Sequence, residues 1–162
     1  MDTDLDPRRL RDAFGAFATG VTVVTGIDAD GARVGLTANS FTSVSLDPPL
    51  LLVCPARGAS ALPALRSAGR FAVNVLTIDQ QPVAEAFTRR GVDRFASGAW
   101  TDWQGLPVLD DAMANFACDV HAELDGGDHA ILVGRVRALR TRAGTEPLLY
   151  LQGRFRQVHV PV

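Results

Sequence analysis

Residues 35–54 have the sequence GLTANSFTSVSLDPPLLLVC, in which a polar segment is followed by an apolar one. Five of the seven residues from Thr37 to Ser43 carry side-chain hydrogen-bonding groups, so the alternation of an ordinary half-buried strand is missing. After the break at Asp47-Pro48-Pro49, the run from Leu50 to Cys54 is typical of a strand buried on both faces. The polar segment therefore predicts either an edge strand with a turn or a wall of hydroxyl and amide groups facing a polar ring.

The segments around this stretch predict a chain of strands joined by tight turns. Val21–Ile27 is rich in β-branched residues, and the turn signal Asp28–Gly31 makes it a hairpin with residues 33–40. The other predicted strands are Phe41–Leu46, Leu50–Cys54, Phe71–Leu76, Ala114–Leu124, Ala130–Arg140 and Leu148–Val158. The last three are long, and residues 91–112 before them are expected to be irregular because they are rich in Gly, Asp and Trp.

Three short helices are predicted between the strands. Leu10, Phe14 and Phe17 lie on one face of a helix over Pro7–Ala18, and further helices are expected at Ser60–Ala68, with Ser60 as N-cap, and at Gln80–Arg90. The sum is a mainly β, antiparallel fold of six or seven strands, for which closure into a barrel hides the edges. We expect one domain over residues 1–162, with the N-terminal helix in 1–18 and the barrel in 19–158.

Composition excludes several classes of protein. The chain has 162 residues and a net charge of −2, without the basic excess expected of a nucleic-acid-binding protein. All 16 basic residues are Arg, so no lysine Schiff base can form. Cys54 and Cys118 form no CxxC pair and are expected to be small buried residues. No membrane span or signal-peptide core is found, which predicts a cytoplasmic protein.

The sequence carries no recognisable hydrolytic or metal site. It lacks the glycine-rich nucleotide motifs and the nucleophile and zinc motifs, and its three His residues are not spaced as ligands. We therefore predict no catalytic side chain and no metal, and expect a bound cofactor to supply the chemistry. Beyond the polar strand, three segments are candidates for its site. They are Cys54–Ser60 at a helix start with Arg57 as a possible phosphate ligand, the turn Gly126–His129, and the segment around Tyr150, the chain's one tyrosine.

Each of these segments also has an ordinary structural interpretation. Residues 54–60 could be a capped helix start, His129 a surface turn residue, and Tyr150 a core aromatic with a solvated hydroxyl. Taken together with their order, however, they resemble the flavin reductase family with the FMN-binding split-barrel fold. The matching segments are GVTVVTG (20–26), DG (30–31), GLTANSFTSVSLDPPLLLVC (35–54), FAVNVL (71–76), DRF (93–95), GDH (127–129) and PLLYLQGRF (147–155).

The resemblance implies a binding role for particular residues. For the flavin it implies Thr37, Ala38, Asn39, Ser40, Ser43, Cys54, Pro55, Ala59, Ser60, Ala61, Ala86 and Phe87. Within that set, residues 59–61 match the flavin phosphate loop. For the nicotinamide it implies His129, Tyr150, Leu151, Gln152 and Gly153.

The resemblance also implies an activity. We expect reduction of FMN or FAD by NADH or NADPH, with the reduced flavin passing by diffusion to a separate flavin-dependent oxygenase. A homodimer is expected, because one small chain offers few walls for a flavin and because the family suggests it. Two alternatives stay open: a split-barrel flavoprotein that holds its flavin tightly and reduces another small substrate, and a flavin-binding module without activity.

Overall fold

Strands are the main secondary structure of the computed structural model, which describes residues 5–159. In chain order the elements are α1 (Pro7–Gly15), β1 (Thr19–Gly20), β2 (Thr22–Ile27), β3 (Arg33–Ala38), β4 (Thr42–Leu46), β5 (Pro49–Val53), α2 (Leu62–Ala68), β6 (Arg70–Val75), α3 (Gln81–Ala86), β7 (Trp100–Trp103), β8 (Leu106–Leu109), β9 (Ala114–Gly126), β10 (His129–Thr141), β11 (Leu149–Leu151) and β12 (Arg154–Arg156). Short 3₁₀ turns lie at Ile78–Gln80 and Arg94–Ala96.

The main sheet has seven antiparallel strands in the order β3-β2-β6-β9-β10-β5-β4. Its two edge strands, β3 and β4, are consecutive in the chain and are joined by residues 39–41 alone. So short a connection requires the sheet to curl until its edges meet at one end. The Cys54 N–H donates to Ser40 Oγ over 2.8 Å across this seam. The predicted split β-barrel is therefore confirmed, and the stretch 35–54 forms its seam.

Two apolar clusters stabilise the barrel. The first lies inside it and combines strand residues with the inner face of α2; its large members are Val24, Val53, Leu62, Leu65, Phe71, Val73 and Leu132. The second lies outside β2 and β6, under α3, and contains Val21, Val23, Val83, Phe87 and Leu148. Strand β2 therefore contributes alternate residues to two cores.

This arrangement corrects the prediction that Leu50–Cys54 is a strand buried on both faces. In β5 only Leu51 and Val53 are buried, while Leu50 and Leu52 are half-buried. Runs of buried residues occur instead in β2, at residues 22–26, and in β6, at residues 71–74. The reason is that β8 and α3 cover the outer face of β2, where the Thr25 hydroxyl donates to the Pro107 carbonyl over 2.6 Å and Val23 packs with Val83. The three consecutive leucines of β5 could not indicate which strand would be covered on its outer face.

The helices are shorter than predicted. Helix α1 begins after Asp6, whose Oδ1 accepts the Arg8 N–H, and ends at Gly15 rather than Ala18; positions 1–4 of the predicted helical segment lie outside the described residues. The N-cap of α2 is Ala61, not Ser60. Helix α3 ends at Ala86, four residues before the predicted end. Among residues 5–159, no helix is both long and apolar enough to cross a membrane.

Two predicted segments contain turns that the sequence analysis missed. Residues 91–112 are not irregular throughout, because β7 and β8 form a hairpin there. The predicted strand Leu148–Val158 is instead the hairpin of β11 and β12, which reverses at Gln152 and Gly153 with φ of 52° and 73°. Such positive φ values define a tight two-residue turn. This reversal places Tyr150 opposite Phe155.

Candidate functional site

A cleft of about 1200 Å³ opens at the seam of the barrel. Its walls come from the end of β3, the loop after β5, the segment that follows α3 and the β9–β10 hairpin. The lining residues include Phe14, Leu36, Thr37, Ala38, Asn39, Ser40, Cys54, Ala59, Ser60, Phe87, Thr88, Arg90, Arg94, His129 and Ile131. We call this space the main cleft.

Eight of the twelve residues predicted for the flavin line the main cleft. They are Thr37, Ala38, Asn39, Ser40, Cys54, Ala59, Ser60 and Phe87. The other four do not line it: Ser43 is exposed on β4, Pro55 and Ala61 are buried, and Ala86 is half-buried at the end of α3. The polar strand and the loop 54–60 thus meet at one cleft, although they are far apart along the sheet.

The polar groups of the seam have two different roles. The Thr37 hydroxyl donates to the Ala84 carbonyl over 2.7 Å, which ties β3 to α3. Ser40 Oγ accepts the Cys54 N–H, as described above. In contrast, the Asn39 amide and the Ser60 hydroxyl make no hydrogen bond within residues 5–159 and are exposed in the cleft. The hydroxyls of Thr37 and Ser40 therefore bind protein, while Asn39 and Ser60 remain available to a ligand.

His129 lies at the rim of the main cleft, at the first position of β10. Its Nδ1 is 2.6 Å from Asp128 Oδ1, and this hydrogen bond lowers the pKa of the Asp128 carboxyl below its ordinary value. Because an ionised carboxylate only accepts, Nδ1 carries the hydrogen and Nε2 is the nitrogen left for a ligand. The side chain is 45% exposed, so a ligand in the cleft can reach it.

A second cleft of about 490 Å³ adjoins the first and shares Phe14 and Asn39 with it. It lies between α1 and the β11–β12 hairpin and is also lined by Arg11, Asp12, Phe17, Thr19, Tyr150, Gln152 and Gly153. Three of the residues predicted for the nicotinamide, Tyr150, Gln152 and Gly153, are therefore here. Leu151 lines neither cleft, and His129 lines the main one.

Arginines at the opposite end of the main cleft were missed by the sequence analysis. Arg90 and Arg94 line it, and Arg94 donates to the backbone carbonyls of Gly35 and Arg89 rather than to a carboxylate. Arg33 lies in a small adjoining pocket that shares Ser60 and Arg94 with the main cleft. The side chains of Arg33 and Arg90 make no hydrogen bond or ion pair within residues 5–159. The repeated Arg residues in TRRGVDR (88–94) were the available signal.

Arg57, which the sequence analysis considered for a phosphate, is engaged elsewhere. Its Nε donates to the Gly127 carbonyl over 2.7 Å and its Nη2 contacts Asp125 Oδ1. The cationic end of the cleft is therefore formed by residues 90 and 94 beside Ser60.

Cys54 forms part of the cleft wall as a neutral group. Burial raises the pKa of its thiol above the ordinary value, and the smaller effect of the Ser40 hydrogen bond opposes this. Cys118 is buried in the barrel core, where burial raises the pKa of its thiol to about 12. Both cysteines are free. No group of His, Cys, Asp and Glu side chains within residues 5–159 could hold a metal ion.

A split barrel with a polar cleft at its seam, cationic at one end and adjoined by a second cleft at the other, offers side chains suited to a polar, anionic ligand. The comparison with known families gives the class a name. Residues 14–159 match the family described as flavin reductase like domain, and the chain belongs to this family.

Individual relatives agree with this assignment. The chain is 51% identical to a probable flavin reductase of Rhizobium meliloti and 47% identical to the stachydrine N-demethylase reductase subunit Stc3 of the same organism, with 93% of the chain covered in each case. It spans about half (48%) of the first relative and 65% of the second. The solved structure of the NADH:FAD oxidoreductase SgcE6 of Streptomyces globisporus, in complex with NAD and FAD fragments, matches with a TM-score of 0.90 at 39% identity and 96% coverage of both chains.

Proposed function

We propose that this chain reduces FMN or FAD with NADH or NADPH and supplies the reduced flavin to a separate oxygenase component. The observation that carries the proposal is the main cleft, which has free polar groups on one side, the guanidinium groups of Arg90 and Arg94 at one end and a second cleft at the other. The names of the relatives support it, since they include a flavin reductase, a reductase subunit and an NADH:FAD oxidoreductase.

The residues that line the cleft fit a phosphorylated flavin. The side chains of Ser60 and Arg90 both line the main cleft and make no hydrogen bond within residues 5–159, so a phosphate bound between them would receive charge-assisted hydrogen bonds. The Asn39 amide is free at the other end, where the two clefts meet, and can bond a polar ring edge. Phe87 and Ile131 also line the main cleft and add apolar groups to its wall. Amide, hydroxyl and guanidinium groups around an apolar floor suit a polar ring that bears an anionic tail.

Binding and orientation are the tasks of the chain's own residues. A bound flavin supplies the chemistry, which is acceptance of a hydride from the nicotinamide. In this proposal Asn39 and Ser60 hold the flavin, while His129 and the β11–β12 turn hold the nicotinamide beside it. Fixing two reactants in one orientation can supply much of a catalytic effect without an acid, base or nucleophile. Since the Cys54 thiol is neutral, it places no charge beside the flavin ring.

The test is an assay of NADH and NADPH oxidation by the purified chain with FMN, FAD and riboflavin added in turn. We expect oxidation that rises and saturates with added FMN or FAD, and a weaker response to riboflavin because it offers no phosphate to Arg90. Oxidation that needs no added flavin would favour the alternative of a tightly held flavin. Flavin binding without oxidation of either nucleotide would contradict the proposal and favour a binding module.

Assembly and location belong to the same proposal. A homodimer is supported by α1, in which no residue is buried, and by the rings of Phe14 in α1 and Phe17 directly after it, which are 70% and 78% exposed. A reducing, cytoplasmic location is supported by two free cysteines, since disulfides are rare where thiols are kept reduced.

A further inference from the structure

We propose that Arg57 is a positioning residue that fixes the turn carrying His129 against the loop 54–60. The functional consequence, correct docking of the nicotinamide, rests on the proposed function. Arg57 does not line the main cleft, and its side chain is 44% exposed. Its contacts are concentrated on one short turn.

Three groups of Arg57 contact three residues at the end of β9 and in the β9–β10 turn. Its backbone N–H donates to the Asp128 carbonyl over 2.9 Å, and its Nε donates to the Gly127 carbonyl over 2.7 Å. Its Nη2 contacts Asp125 Oδ1, which also accepts the Gly127 N–H. The guanidinium therefore bridges the end of β9 and the turn itself.

This turn needs an external restraint. It contains Gly126 and Gly127, the latter with φ of 72°, and glycine restricts the backbone least of all residues. Directly after it, Ala56 pairs with His129 and the Ala130 N–H donates to the Pro55 carbonyl over 2.9 Å. The side chain that touches the His129 ring is Asp128, whose carbonyl Arg57 holds. That carbonyl accepts the backbone N–H of Arg57, a bond that a side-chain substitution keeps. The Arg57 guanidinium thus acts on His129 through the Gly127 carbonyl and the Asp125 carboxylate.

The loop 54–60 keeps its own shape without the Arg57 side chain. The Ala59 N–H donates to the Ala56 carbonyl and the Leu62 N–H donates to the Ala59 carbonyl. Removal of the guanidinium should therefore loosen the turn and leave Ser60 and the flavin side of the cleft in place. An exposed ion pair contributes little to overall stability, so the fold is expected to tolerate the change.

The chain provides a matched control. Arg66 binds Glu123 of the same β9–β10 hairpin through its Nε at 2.8 Å, and its side chain is 38% exposed, close to the value for Arg57. Arg66 makes no contact with the turn 126–129. A comparison of Arg57→Gln with Arg66→Gln separates an effect on the turn from loss of an ion pair on the hairpin.

The experiment combines steady-state kinetics with a double-mutant cycle. We expect Arg57→Gln to raise the KM for the nicotinamide about 3- to 10-fold, with kcat and the flavin Kd changed less than about 2-fold, and Arg57→Lys to recover part of the loss. In the His129→Ala background Arg57→Gln should have no further effect, because both changes act through one residue. Arg66→Gln should change none of these values.

The inference would be overturned if Arg57→Gln had the same kinetics as Arg66→Gln. It would also be overturned if the effect of Arg57→Gln added in full to that of His129→Ala. Amide hydrogen exchange at residues 127–130 without nucleotide provides a readout independent of activity. Exchange in Arg57→Gln should be several-fold faster than in the wild type and in Arg66→Gln. If the wild type oxidised no nucleotide, the proposed function would fail, while the exchange rates would still support or refute the role of Arg57 in holding the turn.

Discussion

At the scale of single residues, the polar stretch Thr37–Ser43 contains groups that bind protein and groups that remain free. We expect Asn39→Leu to weaken flavin binding about 5- to 150-fold, since loss of one polar contact at a desolvated site costs about 1–3 kcal/mol. Titration of FMN or FAD measures the effect. The control is Ser43→Ala, whose side chain is exposed on β4 outside the main cleft. Equal affinity of Asn39→Leu and wild type would leave the segment as an ordinary polar edge strand.

His129 is expected to serve the nicotinamide and not the flavin. Its Nε2 is free at the rim of the main cleft and can bond a carboxamide or phosphate oxygen when it carries a hydrogen. His129→Ala should raise the KM for NADH or NADPH about 10-fold, which equals ~1.4 kcal/mol, and leave the flavin Kd nearly unchanged. His121→Ala, an exposed position on β9 outside the cleft, is the control. A flavin Kd that shifts as far as the KM would refute the assignment.

The two thiols differ in a way that alkylation can measure. Thiolate is the reactive form, and the raised pKa of Cys54 means that less of it is present at pH 8 than for an exposed cysteine. Its reaction with iodoacetamide should therefore be slow at pH 8 and keep accelerating above pH 9. Saturating FMN should slow it further, because Cys54 lines the main cleft.

Mass spectrometry identifies the modified cysteine and supplies an internal control. Cys118 is 1% exposed with a thiol pKa of about 12, so it should react only after unfolding in urea. A Cys54 rate that reaches its plateau below pH 9, or that is the same with and without FMN, would contradict the prediction.

At the scale of elements, close packing between strands limits substitution in the barrel. A Cβ at Gly134 in β10 would lie 2.5 Å from Phe71 Cζ and 3.0 Å from Cys118 Cβ. Phe71 is fully buried and cannot move aside. Gly134→Ala should therefore lower the free energy of unfolding by about 1–3 kcal/mol. Urea denaturation measures this, and Gly20→Ala, whose Cβ would meet no atom within 4 Å, should stay within about 0.5 kcal/mol of wild type. Equal midpoints for the two variants would be inconsistent with the packing.

Among the elements, local sequence patterns predicted most strands. They did not predict which strands are covered by segments that are distant in the sequence. The β2–β3 hairpin followed from β-branched residues and an Asp-Gly turn signal, both of which are local. The β7–β8 hairpin did not, because it depends on Asn74, whose Oδ1 accepts the Leu109 N–H over 2.9 Å from 35 positions away. The reversal at Gln152 and Gly153 was missed because Gln is an unusual residue at positive φ.

The same division applies to the site. The family resemblance predicted twelve flavin-binding residues, of which eight line the main cleft, and it also predicted a role for His129, which lines the same cleft. The polar segments and the GDH turn that carry part of this resemblance are visible locally in the sequence. The sequence could not show that the Thr37 hydroxyl is bound by the Ala84 carbonyl, or that Arg57 holds the turn 127–128 while Arg90 remains free. These outcomes depend on which side chains the closed barrel brings together.

At the scale of the whole molecule, the exposed apolar side chains in and directly after α1 fit the proposed homodimer. Phe14 in α1 and Phe17 just after it are among the most exposed large apolar residues within 5–159, and Leu10 in α1 is 37% exposed. A short helix that buries none of its own residues is only marginally stable by itself. Because α1 also forms one wall of the second cleft, a second copy packed against it would both hide the aromatic rings and complete the nicotinamide side of the site.

Sedimentation velocity at micromolar concentration should therefore give a species of about 35 kDa, twice the chain mass of 17.3 kDa. Leu10→Asp should shift the molecule towards a monomer, because a charge cannot be buried cheaply in an apolar interface. Leu46→Asp, at a residue that is 96% exposed on β4, is the matched control and should leave the dimer intact. A 17 kDa wild-type species would contradict the homodimer. A dimer broken by Leu46→Asp and unaffected by Leu10→Asp would instead place the interface on the edge strand β4, away from the second cleft.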